Sequence, residues 1–213
     1  MAITTTPLPP RTSTRKHQAI LDAAELIFLR DGYLGTSMDE VAACSQVSKQ
    51  TVYKHFGSKE ALFVEIVTSM TSRAGDAIEV NMSAKPPGDD VGTYLCDYAI
   101  TQLTVVLTPR LMQLRRLVIG EVARFPELAW VLYESGPKRA ISQLAAIFEQ
   151  FAERRLLTVE DPALAASQFN WLVMAEPVNR AMLLGDGSIP RGSELGRHAR
   201  QSVQVFLAAY GAH

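Results

Sequence analysis

Six residues in one short stretch, Lys49, Gln50, Thr51, Tyr53, Lys54 and His55, carry side chains able to donate hydrogen bonds, and in helical projection they share one face. Val52 and Phe56, four apart, take the other face, and Val47 just ahead of them can close the same apolar side. Such a donor-rich face suits the edges of bases in a DNA major groove. Lysine can donate to guanine O6 or N7, glutamine can pair with adenine through two hydrogen bonds, and a threonine methyl can pack on thymine. Ser48 stands where its hydroxyl caps the first turn, Gly57 ends the helix, and Ser58 caps the next one. A polar face is also what any solvated amphipathic helix presents, so the neighbouring elements must decide.

Those elements are helical. Ile20, Ala23, Ala24, Ile27 and Phe28 form a buried stripe that predicts a helix from about Arg15 to Arg30, stopped at Asp31-Gly32. Ser37 and Glu40 have capping-box spacing and open a second helix. Its inner face is Met38, Val41 and Ala42, while small Ala43 and Cys44 are expected to let helices approach closely. Ser45-Gln46-Val47 is then a tight connection into the donor-rich stretch. Two short helices joined by a three- to four-residue turn and braced by a longer one describe a helix-turn-helix.

The run Ala23-Ala24-Glu25-Leu26-Ile27-Phe28, Gly32-Tyr33, Thr36-Ser37-Met38-Asp39-Glu40-Val41-Ala42, Val47-Ser48-Lys49 through Phe56, and Gly57-Ser58-Lys59-Glu60-Ala61-Leu62-Phe63 resembles the DNA-binding domain of TetR/AcrR-family transcriptional regulators. That resemblance covers residues 15–66. It implies an all-α fold, with an N-terminal three-helix helix-turn-helix domain and a C-terminal helical bundle for ligand binding and dimerisation. The expected division is a disordered basic arm over 1–13, the DNA-binding domain over 14–62 and the helical domain over 63–213. Tyr53 matches the family's phosphate-contacting tyrosine. Arg11, Arg15, Thr36, Ser37, Ser48, His55 and Lys59 join Lys49, Gln50, Thr51 and Lys54 as expected DNA contacts, mostly to phosphate. One departure stands out: the family usually places Ala-Gly before the Val-Ser, and here it is Ser45-Gln46. Either Gln46 adopts the positive φ that glycine would supply, or the turn bends differently.

Downstream, Leu62, Phe63, Ile66, Val67 and Met70 carry a fourth helix to about Asn81, and Ser83 to Gly92 is the clearest loop. Helical periodicity then recurs over Tyr94–Leu107, Arg110–Arg124, a segment begun at Pro126 and interrupted at Gly136-Pro137, Asp161–Leu184 with a kink expected at Pro177, and Ser193–Tyr210. The resemblance implies that the last two long helices make a two-fold dimer through a four-helix bundle, with Phe169, Leu172, Val173, Met182, Val203, Phe206 and Tyr210 at the interface. A dimer would present two reading helices about 34–36 Å apart, or a multiple of that, to a palindromic double-stranded operator. It also implies a small-molecule effector pocket whose filling shifts that spacing. Met112, Phe125, Trp130, Tyr133, Phe148, Trp171 and Met174 are candidates for its walls, and Arg116, Glu121, Glu176 and Asn179 for its polar contacts.

Composition narrows the alternatives. With 213 residues, 47% hydrophobic and a formal net charge of -1, a nucleic-acid surface must be local. Cys44 and Cys96 form no disulfide framework and fit a reducing compartment. No apolar run reaches a membrane span and the start has no secretory pattern, so a cytoplasmic protein without a membrane partner is expected. His17, His55, His198 and His213 sit on separate elements, so no metal is expected, and no cofactor either. Phosphate-loop, His-Glu-x-x-His and Gly-x-Ser-x-Gly motifs are absent, against an enzyme. The reading is a homodimeric, ligand-responsive repressor. The alternatives are control by a protein partner or by oxidation of Cys44 and Cys96, or catalysis by the bundle.

Overall fold

A computed structural model describes residues 11–84 and 87–212, so the expected arm over residues 1–10 lies outside it. Among the described residues the chain is all-α, with a single isolated antiparallel bridge between Leu157 and Gly211. It divides into two compact units, one ending at Ile66 and the other starting at Val67.

The first unit holds α1 (Arg11–Gly35), α2 (Met38–Cys44), α3 (Lys49–Phe56) and the start of α4 (Lys59–Ser83). α1 begins four residues earlier than the periodicity predicted, which takes residues 11–13 out of the expected arm. Gly32, at φ 74°, breaks its regular geometry as expected, yet one further turn follows to Gly35. Ile20, Ala24, Ile27 and Phe28 are buried, and so are Val41, Val52, Phe56, Leu62 and Phe63. The rings of Phe28 and Phe63 stack at 5.0 Å. Ser37 caps α2 by accepting from Asp39 N–H, but Glu40 does not complete a capping box, because it pairs with Arg30 at 2.6 Å instead. Ala43 and Cys44 are exposed rather than at a close helix contact. Ser45 is the buried residue there, its hydroxyl donating to the Val41 carbonyl at 2.6 Å.

The turn between α2 and α3 answers the question Gln46 poses. Gln46 takes φ 55°. Val47 N–H donates to Ala42 C=O at 3.1 Å and Gln46 N–H to Ala43 C=O at 3.2 Å, the paired bonds of a Schellman motif. The glycine-type turn is therefore kept without glycine. Arg155, at φ 58°, closes the helix over Arg139–Glu153 by the same device, with Leu156 N–H donating to Phe151 C=O at 2.8 Å.

The second unit contains the rest of α4, α5 (Val91–Val106), α6 (Pro109–Gly120), α7 (Pro126–Tyr133), α8 (Arg139–Glu153), α9 (Pro162–Leu184) and α10 (Ser193–Tyr210). Gly136-Pro137 does not break the chain between α7 and α8; it sits in a π-helical turn over Glu134–Lys138. The core centres on Tyr98, Phe148, Phe151, Phe169 and Phe206, with Phe169 and Phe206 edge to face at 5.0 Å. α9 runs through Pro177, which has no N–H to give to the Val173 carbonyl one turn earlier. His198 of α10 supplies that hydrogen bond from Nε2 at 2.8 Å, so the proline's missing donor becomes a tie between two helices.

Replacing Gln46 by glycine should raise stability by about 0.5–1 kcal/mol, the left-handed strain relieved less the glycine's extra chain entropy. An equal or lower urea midpoint would show that the turn is unstrained. Replacing His198 by phenylalanine leaves the Val173 carbonyl without a donor and should cost about 1–2 kcal/mol in the same titration.

Candidate nucleic-acid interface and ligand cavity

α3 is eight residues long, too short to persist without tertiary support. Burial of Val52 and Phe56 supplies it, and the ring of His17 stacks on Phe56 at 4.6 Å while its Nε2 pairs with Glu65 at 2.6 Å. Ser48 caps the helix, accepting from Thr51 N–H at 3.1 Å and sharing a 2.8 Å hydrogen bond with the Thr51 hydroxyl. With one face fixed inward, Gln50, Tyr53 and Lys54 are exposed, Tyr53 by 42%, and with Thr51 they line one shallow open concavity. Gln50, Tyr53 and Lys54 form no side-chain hydrogen bond among the described residues.

The other expected contacts divide by what they already hold. Lys49 lies beside them but pairs with Asp39 at 2.9 Å, and that carboxylate raises its pKa. Arg15 and Ser37 are exposed, and His55 is half-buried with its ring 5.7 Å from that of His17. Two expectations need correcting. Thr36 is buried with its hydroxyl donating to Gly32 C=O at 2.8 Å, so it fastens the end of α1 rather than facing a phosphate. Lys59 donates to the carbonyls of Thr36 at 2.6 Å and Leu34 at 3.3 Å and lies 4.8 Å over the Tyr33 ring. Both serve to hold the α1–α2 junction. The side chain of Arg11 is outside the described residues.

The second unit encloses a cavity of about 650 Å³, within the size range of pockets for drug-sized ligands. Met112, Trp171, Met174, Glu176 and Asn179 line it, as the sequence suggested. The remaining six candidates lie elsewhere. Phe148 is in the aromatic core against Phe169 and Phe206, and Phe125 is buried away from the cavity. Trp130, 65% exposed, and Tyr133 point to solvent. Glu121 pairs with Arg124 at 3.2 Å. Arg116 donates to Asp186 and to the Ala181 carbonyl, and this pairing holds the Asp186 carboxyl below its usual range.

Besides Glu176 and Asn179, the polar wall includes Gln102 of α5, Arg115 of α6 and Asn170 of α9. None of these three is among the polar contacts expected from the sequence, Arg116, Glu121, Glu176 and Asn179. The signal was there: Met112, Arg115 and Ile119, at i, i+3 and i+7, put an arginine in an apolar stripe.

The expected dimer residues also separate. Phe169, Val173, Val203 and Phe206 are buried within the chain's own core, and Met182 lines the cavity. Tyr210 is half-buried, its hydroxyl reaching the Gln168 amide oxygen at 2.5 Å. Of the seven, Leu172 alone is exposed. Cys44 is exposed and Cys96 half-buried, where burial pushes the Cys96 thiol up and disfavours the reactive thiolate. No cluster of His, Cys, Asp or Glu among the described residues could hold a metal. No helix there is long and apolar enough to cross a membrane.

The chain matches two family models: bacterial regulatory proteins of the tetR family over residues 20–66, and the C-terminal domain of AefR-like transcriptional repressors over residues 93–212. It is 40% identical over 76 residues to the HTH-type transcriptional regulator AcrR of Shigella flexneri, which is 36% of this chain and 34% of that protein. Over 54 residues it is 39% identical to the HTH-type transcriptional regulator QacR of Staphylococcus aureus, 25% of this chain and 29% of that one. The chain thus matches about a third of the length of these curated relatives. Solved structures extend the likeness. A TetR-family regulator from Mesorhizobium loti superposes with a TM-score of 0.87 at 39% identity, covering 95% of this chain and 100% of that one. The flavonoid-responsive regulator FrrA does so with a TM-score of 0.75 at 32% identity, covering 93% and 98%. Matched in both its units, the chain belongs to the TetR family of bacterial transcriptional regulators.

Proposed function

We propose that this protein is a homodimeric repressor that binds a palindromic operator through α3 and leaves it when a small molecule fills the cavity of the second unit. The observation that carries the DNA reading is the exposed, unbonded set Gln50, Tyr53 and Lys54 on a helix whose opposite face is locked by Val52 and Phe56. Gln50 and Lys54 present donors to base edges, and Tyr53 donates to phosphate. Lys49 can exchange Asp39 for a phosphate, since an exposed ion pair is weak and screened. Arg15, Ser37, Ser48 and His55 border this face; Thr36 and Lys59 contribute by positioning α2. Repression is supported by the AefR-like repressor match, and effector control by the cavity and by the likeness to a flavonoid-responsive regulator. Ligand and operator then compete through one coupling free energy, each lowering affinity for the other.

With Phe169 and Phe206 buried in the chain's own core, the dimer surface falls to outward residues of the two helices: Leu164, Leu172 and Ala175 of α9, and Gln201, Val205 and Ala208 of α10. The alternative of redox control is disfavoured by the burial of Cys96.

Binding to DNA from upstream of the protein's own gene, titrated with salt, tests the reading. Sequence-selective binding with a steep salt slope is expected, and Tyr53→Phe combined with Lys54→Ala should weaken it by about tenfold or more and, with one cation gone, flatten the slope by no more than about one. Binding that is equal on every sequence, or indifferent to those changes, would remove α3 as the reading element. Sedimentation of Leu172→Asp/Val205→Asp should show monomers at concentrations where wild type is dimeric; an intact dimer would place the interface elsewhere.

A further inference from the structure

The charged side chains that reach the cavity are neutralised, with one exception. Arg139 donates to Asp76 at 2.8 Å and Glu79 at 2.6 Å. Glu176 is largely exposed and sits 3.7 Å from Arg180. The Arg115 guanidinium has no carboxylate within ion-pair distance and no hydrogen-bond acceptor among the described residues. Burial alone pulls its pKa below the ordinary arginine value, with no neighbouring charge acting on it. Arginine does not give up its proton in a protein, so this cation stays charged in an apolar enclosure. A half-buried charge without a partner is costly to desolvate, and its place at a cavity wall suits a counter-charge that arrives from outside.

A second unmet group faces the same space. Gln102 is 3% exposed and donates from Nε2 to Asn170 Oδ1 at 2.8 Å, yet its own Oε1 is buried without a donor. Most of the remaining wall is apolar, Ile78, Met112 and Trp171 among it, with Thr71, Gln143 and Asn179 adding uncharged polar groups. We propose that the cavity takes an apolar organic acid whose anionic group is held by Arg115 and whose hydroxyl or N–H donates to Gln102 Oε1. This rests on reading the cavity as the effector site and names the chemical class of the effector. The planar guanidinium offers two parallel N–H donors to a carboxylate, sulfonate or phenolate, and the low polarity around it strengthens that bond. A neutral or cationic compound of the same shape would leave Arg115 unpaired or repelled.

The test uses a matched pair of fluorescent probes, 8-anilinonaphthalene-1-sulfonate and the same molecule without its sulfonate, N-phenyl-1-naphthylamine. Both carry an N–H, and only the first is an anion. The full-length protein in about 0.15 M salt, where long-range surface attraction is screened, should bind the sulfonate about tenfold or more tightly than the neutral probe. Arg115→Met should remove that preference by weakening the sulfonate, with the neutral probe bound no more weakly than by wild type, and its Tm should equal or exceed wild type because an unpaired charge has gone. Arg115→Lys should keep most of the preference. Ala74→Trp, which fills the cavity from α4, should abolish binding of both probes. Equal affinity for the two probes, or an anion preference that survives Arg115→Met, overturns the acid-binding proposal while leaving the cavity as a binding site. Binding of both probes unaffected by Ala74→Trp, or no binding at all, overturns the effector cavity itself and the present proposal with it.

Discussion

The polar face of α3 is held outward only because its other face is buried. An eight-residue helix gains too few internal hydrogen bonds to offset the cost of nucleation, so its persistence depends on packing. Val52 and Phe56 provide that, each worth about 1.5–3 kcal/mol on full burial. Once these two side chains are seated, Gln50, Tyr53 and Lys54 have no freedom to turn inward, because a helix fixes the angles between its residues. The Schellman turn at Gln46 then sets where α3 starts relative to the end of α2. The outward polar face of α3 is therefore set by a small hydrophobic contact.

Polar residues near a site earn their roles by what is left over after folding has been satisfied. Thr36 and Lys59 are spent inside the fold, on the carbonyls that end α1 and open α2, and a buried carbonyl left without a donor would be costly. Lys49 occupies the middle ground, bonded to an exposed carboxylate from which it is easily drawn away. The second unit shows the same division in adjacent residues. Arg116 is consumed by Asp186 and the Ala181 carbonyl, whereas Arg115, one position earlier on α6, faces the cavity with nothing to neutralise it.

α9 illustrates how a local defect becomes a tertiary constraint. Pro177 removes one hydrogen bond from the helix, and the orphaned Val173 carbonyl is met by His198 from α10. That contact fixes the register of α9 against α10, and α9 also lends Asn170, Trp171 and Met174 to the cavity wall. A helix that lines the cavity and presents outward apolar residues is thereby tied to its neighbour.

The sequence by itself determined the helices, their caps and the helix-turn-helix, because these follow from short-range spacing: a stripe at i, i+3 and i+4, a serine before a first turn, a glycine after a last one. It also singled out Gln46 as the place where a positive φ was needed, and marked Gln50, Tyr53 and Lys54 as outward because Val52 and Phe56 could only be inward. What it left open was the partner of each polar or aromatic side chain. Phe148 and Met112 are both fully buried apolar residues on helical stripes, and only the packing of the second unit brings Met112 to the cavity wall as well while Phe148 stays within the aromatic core. Arg115 and Arg116 are chemically identical neighbours, and the position of Asp186, seventy residues beyond Arg116, decides which is neutralised. Helix periodicity is written in neighbouring residues and can be read there; pairing, burial and cavity are relations between distant segments, and the tertiary structure alone brings those segments together.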